Sequence, residues 1–280
     1  MTSIWYNIID ILERVIALKY FCIINKADEI SNEIAERISN ALIDYNFRYD
    51  EKHPELIIVV GGDGKFLRSV HEHIENIENI NYVVINTGTL GFASDFESDE
   101  VDVLIKSIIE GNYKVESCNL IKTEIVDEKG ESHIEYALNE FRIENPMRTL
   151  VVDVYVDNDF FEEFSGNGLC ISTQFGSSAY NRSLMGAIVA PNVEIMQITE
   201  IAGIHNNKYS SLYNSLIVSK DSLIKIVPKE TENVILGIDY LCLEFKNFRQ
   251  INISLSNKKV NFVRYRKYSF YERLHQSFIV

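Results

Sequence analysis

Apolar positions in the first 110 residues follow two alternating spacings. Lys19–Ile24 is an apolar run of strand length. Behind it Ile30, Ile34, Ile38, Ala41 and Tyr45 recur at helical spacing, with Asp28 placed to cap the helix start. Leu56–Val60 is a continuous Leu-Ile-Ile-Val-Val run, the pattern of a strand covered on both faces. Phe66, Leu67, Val70, Ile74 and Ile77 then mark one helical face. Tyr82–Ile85 reads as another short strand. Val101, Leu104, Ile105 and Ile108 mark a further helix, with Ser98 as its cap. Strands alternating with helices in this way predict a parallel sheet flanked by helices.

Past Gly111 the spacing shortens. Lys122–Val126, His133–Asn139, Thr149–Val156 and Phe160–Phe164 read as strands, the last two joined by the turn Asp157-Asn158-Asp159. Leu223–Val227, Val234–Ile238, Ile251–Leu255 and Val260–Tyr265 continue the series. One helix interrupts it, from near Gly176 through Leu184. The pattern predicts an α/β domain over 18–112 and a mostly β domain over 113–262. Residues 1–17 are expected to precede them as an extension, and a tail over 263–280 is expected to pack back on the first domain.

Composition narrows the function. Hydrophobic residues at 46% and charged residues at 24% are ordinary for a soluble globular chain. The most apolar stretch, Ile4–Ile24, is interrupted by Asp10, Glu13, Arg14 and Lys19, and it lacks the basic start and small-residue cleavage site of a secretory signal. Cys22, Cys118, Cys170 and Cys242 show no metal or disulfide spacing, which suits reduced thiols in a cytosolic protein. The net charge of −14 argues against nucleic acid or a membrane surface as partner, since the only basic run is Arg264–Lys267. Such a chain binds phosphate through backbone amides, a metal ion or a few focused cations.

Four segments carry candidate chemistry. Gly61-Gly62-Asp63-Gly64 lies between the buried strand and the next helix, at the strand end where open parallel sheets bind ligands. Its glycines allow close approach of a phosphate, and the helix start offers free N–H groups to an anion. Asp63 beside a phosphate has two possible tasks: holding a divalent metal, or accepting a proton from an attacking hydroxyl. An ordinary tight turn with a capping Asp also explains the tetrapeptide. Lys65 and Arg68 follow on the helix, either near the same anion or as solvated surface cations. The second segment, Asn86–Phe92, follows the next strand in the same way and offers Phe92 to a base or ribose. The third is the pair Asn139-Glu140, an amide and a carboxylate suited to ribose hydroxyls or an adenine edge. The fourth, Gly166–Ser183, supplies a strand, a hydroxyl-rich turn and a helix start. Of the histidines, His71 and His73 fall on different helix faces, and none is assigned a role.

In this order the segments Gly-Gly-Asp-Gly, Thr-Gly-x-Leu-Gly-Phe, Asn-Glu and Gly-x-Gly-Leu-x-x-Ser-Thr…Ala-Tyr resemble the NAD kinase family, over roughly Leu18 to the C-terminus. The ending Phe262–Phe278 is similar to the tails of bacterial members. The resemblance implies a Rossmann-like domain followed by a β-sandwich-like domain, with assembly as homodimers or homotetramers. It also implies phosphorylation of the adenosine ribose 2′-hydroxyl of NAD, with ATP and magnesium as the usual donor and polyphosphate in some members. Carried over by motif, Asp63 is the general base, and Gly64 and Arg68 line the nucleotide site. Phe92, Asn139 and Glu140 hold the adenosine half of NAD. Asn167 and the lining Ser178, Ala179, Tyr180 and Ser183 follow, while Ala202 and Tyr209 come from a subunit contact. The sequence departs from the family pattern at Asn167 (usually Asp), Ser165 (often Arg), Gln174 (usually Pro), Lys65 (usually Thr) and Tyr240 (His in similar bacterial enzymes). Those departures leave a non-catalytic NAD sensor as a rival. A lipid kinase with a similar Gly-Asp-Gly turn ranks behind it.

Overall fold

The computed structural model describes residues 18–88, 91–207, 210–243, 245, 247–267 and 269–279. The extension 1–17, Thr89, Leu90 and Tyr209 lie outside the described residues. The chain divides into two compact units. One holds the described residues up to Ser117 and those from Val260 onward; the other is Cys118–Lys259.

The first unit is a parallel sheet between helices. β1 (Tyr20–Asn25), α1 (Glu29–Asp44), β2 (Arg48–Tyr49), β3 (Leu56–Val60), α2 (Asp63–Glu72), β4 (Asn81–Asn86), β5 (Phe96–Glu97) and α3 (Val101–Glu110) follow in sequence. The sheet order is β2-β1-β3-β4, all parallel, with Leu56 facing Phe21 on one side and Asn81 on the other. All five β3 residues are buried, as a strand covered on both faces requires. On the face of Ile58, Val60, Val83 and Ile85 lie Ile34, Ile38 and Leu42 of α1 and Val101, Leu104 and Ile108 of α3. On the opposite face Phe66 of α2 meets Tyr82 edge-on, ring centroids 5.5 Å apart.

The helix predictions need three corrections. Asp28 does cap α1, accepting from the Ser31 N–H at 2.8 Å, but Ile30 and Tyr45 are 62% and 61% exposed and the buried stripe ends on Leu42 instead. Ser98 is not the cap before α3. A one-turn 3-10 segment, Ser98–Glu100, precedes that helix, and Glu97 and Glu100 bond each other's backbone in a capping box. The apolar face from Phe66 to Ile77 is not one helix: α2 ends at Glu72, and Ile77 is buried from a separate 3-10 segment, Ile74–Asn79.

The second unit is two antiparallel sheets around one core. Its strands are β6 (Lys114–Asp127), β7 (Ser132–Ala137), β8 (Glu140–Glu144), β9 (Leu150–Val156), β10 (Asp159–Gly166), β11 (Gly168–Thr173), β12 (Ile195–Ile201), β13 (Leu216–Ser219), β14 (Ile224–Pro228), β15 (Ile235–Ile238), β16 (Leu241–Leu243) and β17 (Phe248–Arg264), with the one-turn α4 (Tyr180–Ser183) after β11. The chain enters this unit within β6 and leaves it within β17. One sheet contains β10-β9-β14-β17, with β6 beside β17 and β7 beside β6; the other runs β13-β12-β11-β8-β15-β16. Ile121, Val152, Val154, Ile224, Ile226 and Ile251 from the first pack with Phe141, Ile143, Leu169, Ile171, Ile198 and Leu236 from the second. Asp157 and Asn158 both take positive φ, 54° and 72°, as a two-residue hairpin turn requires.

The structure also revises this half. The run His133–Asn139 stops at Ala137, and a new strand starts at Glu140. Ile251–Leu255 and the run from Val260, which stops at Arg264 and not Tyr265, belong to one 17-residue strand, β17. Strands β12, β13 and β16 add to the predicted set. The helix expected from Gly176 to Leu184 is broken at Ala179, whose ψ of −132° separates a 3-10 turn from α4. After β17, α5 (Phe270–Phe278) returns to the first unit, capped by Ser269.

Candidate active site

In the first unit the glycine turn opens onto a hollow of about 350 Å³, lined by Lys26, Gly62, Asp63, Gly64, Thr87, Gly88 and Gly91. That volume is within the range of small-molecule sites. Asp63 opens α2, and no side chain caps the helix, so the first-turn amides are offered to an anion. Both Asp63 carboxylate oxygens accept backbone amides: Phe92 N–H at 2.8 Å and Ala93 N–H at 3.0 Å. The first two sequence segments are therefore joined by the carboxylate itself. Gly91 is required by this closeness, because a Cβ there would overlap Asp63 Oδ1. Gly64 has open space on its Cβ side. Arg68 is exposed one turn along α2. Lys65 lays its stem beside Gly61, and Lys26 pairs with Asp28 at 3.1 Å. The Phe92 ring stacks on Phe278 of α5, centroids 5.4 Å apart, with Phe270 at 6.3 Å.

In the second unit Asn139 and Glu140 sit at the sharp entry to β8, held by a residue that belongs to none of the four motif segments. The Asp239 carboxylate accepts the N–H groups of Leu138, Asn139 and Glu140 at 2.8, 2.7 and 3.1 Å. Thr173 fixes the other side: its hydroxyl donates to Leu138 O at 2.6 Å and its N–H to Asn139 O at 2.9 Å. Gly176 passes so close to Asn139 that a Cβ would collide with its carbonyl. Glu140 is 5% exposed and its Oε2 has no protein partner. Burial first, then the Asp239 charge, raises its carboxyl to about 8, against the opposing pull of Arg142. Glu140 faces Ser172 across the β8–β11 pair, and Ser172 Oγ is likewise buried without a partner. This is a polar row of the kind a ligand's hydroxyls could complete.

The remaining predicted residues surround that row or lie apart from it. The Tyr180 ring lies under the Arg142 guanidinium at 5.1 Å, and Arg142 pairs with Glu144 at 2.8 Å. Ser178 donates to Phe175 O at 3.4 Å; Ala179 is partly covered and Ser183 is exposed. Asn181, also unforeseen, is fully buried and accepts from Thr199 Oγ1 at 2.7 Å, anchoring the turn after α4. Asn167 and Ala202 lie together at the strand ends, away from Glu140 in register. The Asn167 amide donates to Asn145 O at 3.1 Å, which a carboxylate could not do. Ser165 and Gln174 are buried with side-chain atoms left without partners, while Tyr240 is exposed beside Asp239. Among the described residues no group of His, Cys, Asp and Glu forms a metal cluster.

The family model for the ATP-NAD kinase N-terminal domain matches residues 23–113, and that for the C-terminal domain matches residues 138–265. The chain belongs to the NAD kinase family. It is 37% identical to NAD kinase 1 of Listeria innocua over 94% of this chain and 99% of the relative. It is 36% identical to NAD kinase of Geobacillus stearothermophilus, over 96% and 99%. Its fold is similar to that of yeast NADH kinase complexed with NADH, with TM-score 0.77 and 18% identity over 93% of this chain and 87% of that one. An NAD kinase from Archaeoglobus fulgidus in complex with ATP gives 0.71 and 21% over 92% and 97%. The α/β unit and the antiparallel unit of this family are the two units described above. Within the family's C-terminal domain, the one cue to Asp239 in the sequence is an acidic residue closing the apolar run Val234–Ile238.

Proposed function

We propose that this chain transfers the γ-phosphoryl group of ATP to the 2′-hydroxyl of the adenosine ribose of NAD, giving NADP and ADP. The observation that carries the reading is the Asp63 carboxylate, held by two amides at an uncapped helix start over an open hollow, in a chain of the NAD kinase family. Asp63 accepts the hydroxyl proton as the ribose oxygen bonds to phosphorus and the bridging P–O bond to ADP breaks. The amides leave the carboxylate oxygens lone pairs for that proton while fixing their direction. The α2 amides and the glycine turn orient the donor phosphates, so positioning and charge stabilisation supply most of the rate.

Magnesium fits the donor set in one way: among the described residues Asp63 is the only carboxylate lining the hollow, so the ion would be held chiefly by the nucleotide's own phosphates. Its chemistry would be to neutralise charge on them. Phe92, Asn139 and Glu140 are assigned to the adenosine half of NAD, and Ser178, Ala179, Tyr180 and Ser183 to the hydroxyl-rich lining. Gly64 and Arg68 are assigned to the nucleotide site. Asn167, Ala202 and Tyr209 are assigned to the remaining contacts, in a cytoplasmic homodimer or homotetramer. No helix among the described residues is long and apolar enough to cross a membrane.

Incubating purified protein with NAD, ATP and magnesium tests the activity. NADP should accumulate with ATP consumed one for one. Tight NAD binding with no NADP formed would replace the kinase with a non-catalytic sensor.

A further inference from the structure

The loop Gly91–Asp95 is gripped at both its N–H and its C=O groups. Phe92 and Ala93 donate to Asp63. The carbonyls of three consecutive residues each accept from a different arginine of the returning C-terminal segment. Arg264 donates to Ala93 O at 3.3 Å, Arg273 to Ser94 O at 2.7 Å, and Arg266 to Asp95 O.

The arginines are themselves fixed. Arg264 is 8% exposed and bonds Asp95 at 2.6 Å and Glu116 at 3.0 Å. Arg266 forks onto both Glu100 oxygens at 2.6 and 2.7 Å. Arg273 reaches Glu97 at 3.3 Å. Glu97 also accepts from Asn86 Nδ2 at 2.8 Å, and the Asn86 side chain bonds Gly88 in the lining of the hollow. The grip thus continues from α5 to two of the loops around Asp63.

An ordinary connection leaves its carbonyls to water. Ordering three long cationic side chains on three successive carbonyls costs rotamer freedom in each, and a rigid loop is what it yields. We propose that Arg264, Arg266 and Arg273 are positioning residues for the phosphoryl transfer: they hold the 91–95 loop so that its amides keep the Asp63 carboxylate aimed into the hollow. The inference rests on the reading of Asp63 as base. It adds that the chain's last segment is a working part of that site.

Arg273 is the arginine to test, since Arg264 is buried in an ion pair whose loss would unsettle the fold. In Arg273→Met, kcat for NADP formation should fall about 10- to 100-fold, the scale set by a carboxylate displaced by about 1 Å. KM for NAD and for ATP should stay within about threefold. Hydrogen exchange at the Phe92 and Ala93 amides should quicken while β3 amides stay protected. Arg273→Lys should recover part of kcat and of the protection. Unchanged kcat, or lost kcat with Phe92 and Ala93 still fully protected, would overturn the proposal. If β3 protection is lost in the Met variant, Arg273→Lys decides alone: kcat lost with Phe92 and Ala93 still fully protected, or kcat kept with that protection lost, would also overturn it. The exchange readout needs no turnover, so an inactive wild type would count against the kinase reading and not against the clamp.

Discussion

Replacing Glu140 with Gln isolates the electrostatic cost of a buried carboxylate. Burial and the neighbouring Asp239 charge raise this carboxyl from 4.5 to about 8. Between those two values the folded chain holds a proton that the unfolded chain has released. Stability therefore falls as pH rises through that window, and it levels off above about 8 and below about 4.5. Each tenfold change in proton affinity is about 1.4 kcal/mol, so ionising Glu140 in place costs roughly 3 to 5 kcal/mol. Gln has nearly the same shape and no charge to desolvate. Urea unfolding at pH 5, 7 and 9, followed by circular dichroism, should find the Glu140→Gln variant within about 1 kcal/mol of wild type at pH 5 and more stable by roughly 3 kcal/mol or more at pH 9. Curves that stay parallel from pH 5 to 9 would refute the argument, because they would mean that Glu140 titrates alike folded and unfolded.

Two further substitutions probe the geometry. Asp239→Ala strands three amides, two of them buried and costing roughly 1 to 3 kcal/mol each, and removes a charge facing Glu140. A net loss of about 2 to 4 kcal/mol in urea unfolding is expected, with NAD affinity falling and Asp239→Asn recovering part of both. In Gly91→Ala the new methyl displaces the Asp63 carboxylate, so kcat should fall on the order of 100-fold while urea unfolding stays within about 1 kcal/mol of wild type.

What the sequence made legible was local. A five-residue run with no polar break announced β3, and an Asp ahead of a 3.6-residue repeat announced α1. The glycine turn between β3 and α2 marked the strand end where the hollow lies. What it hid depends on distant partners. Asp239 acts on residues about 100 positions away, and no local spacing reports that. Arg264 belongs to the basic run Arg264–Lys267, yet it is buried, paired with the buried Asp95 and the half-exposed Glu116. Ser98 has the right chemistry for a cap, yet the neighbouring Glu97 and Glu100 satisfy two backbone groups together. The Gly176–Leu184 stretch is divided by the close pass of Gly176 over Asn139 and the kink at Ala179, contacts that no local spacing reports.

The base assignment rests on one oxygen pair. Asp63→Asn keeps the shape and one acceptor but gives up the proton-accepting carboxylate. With NAD, ATP and magnesium at saturation, NADP formation by this variant should fall about 10²- to 10⁴-fold while NAD and ATP still bind within a few-fold of wild type. Turnover within threefold of wild type would contradict the account.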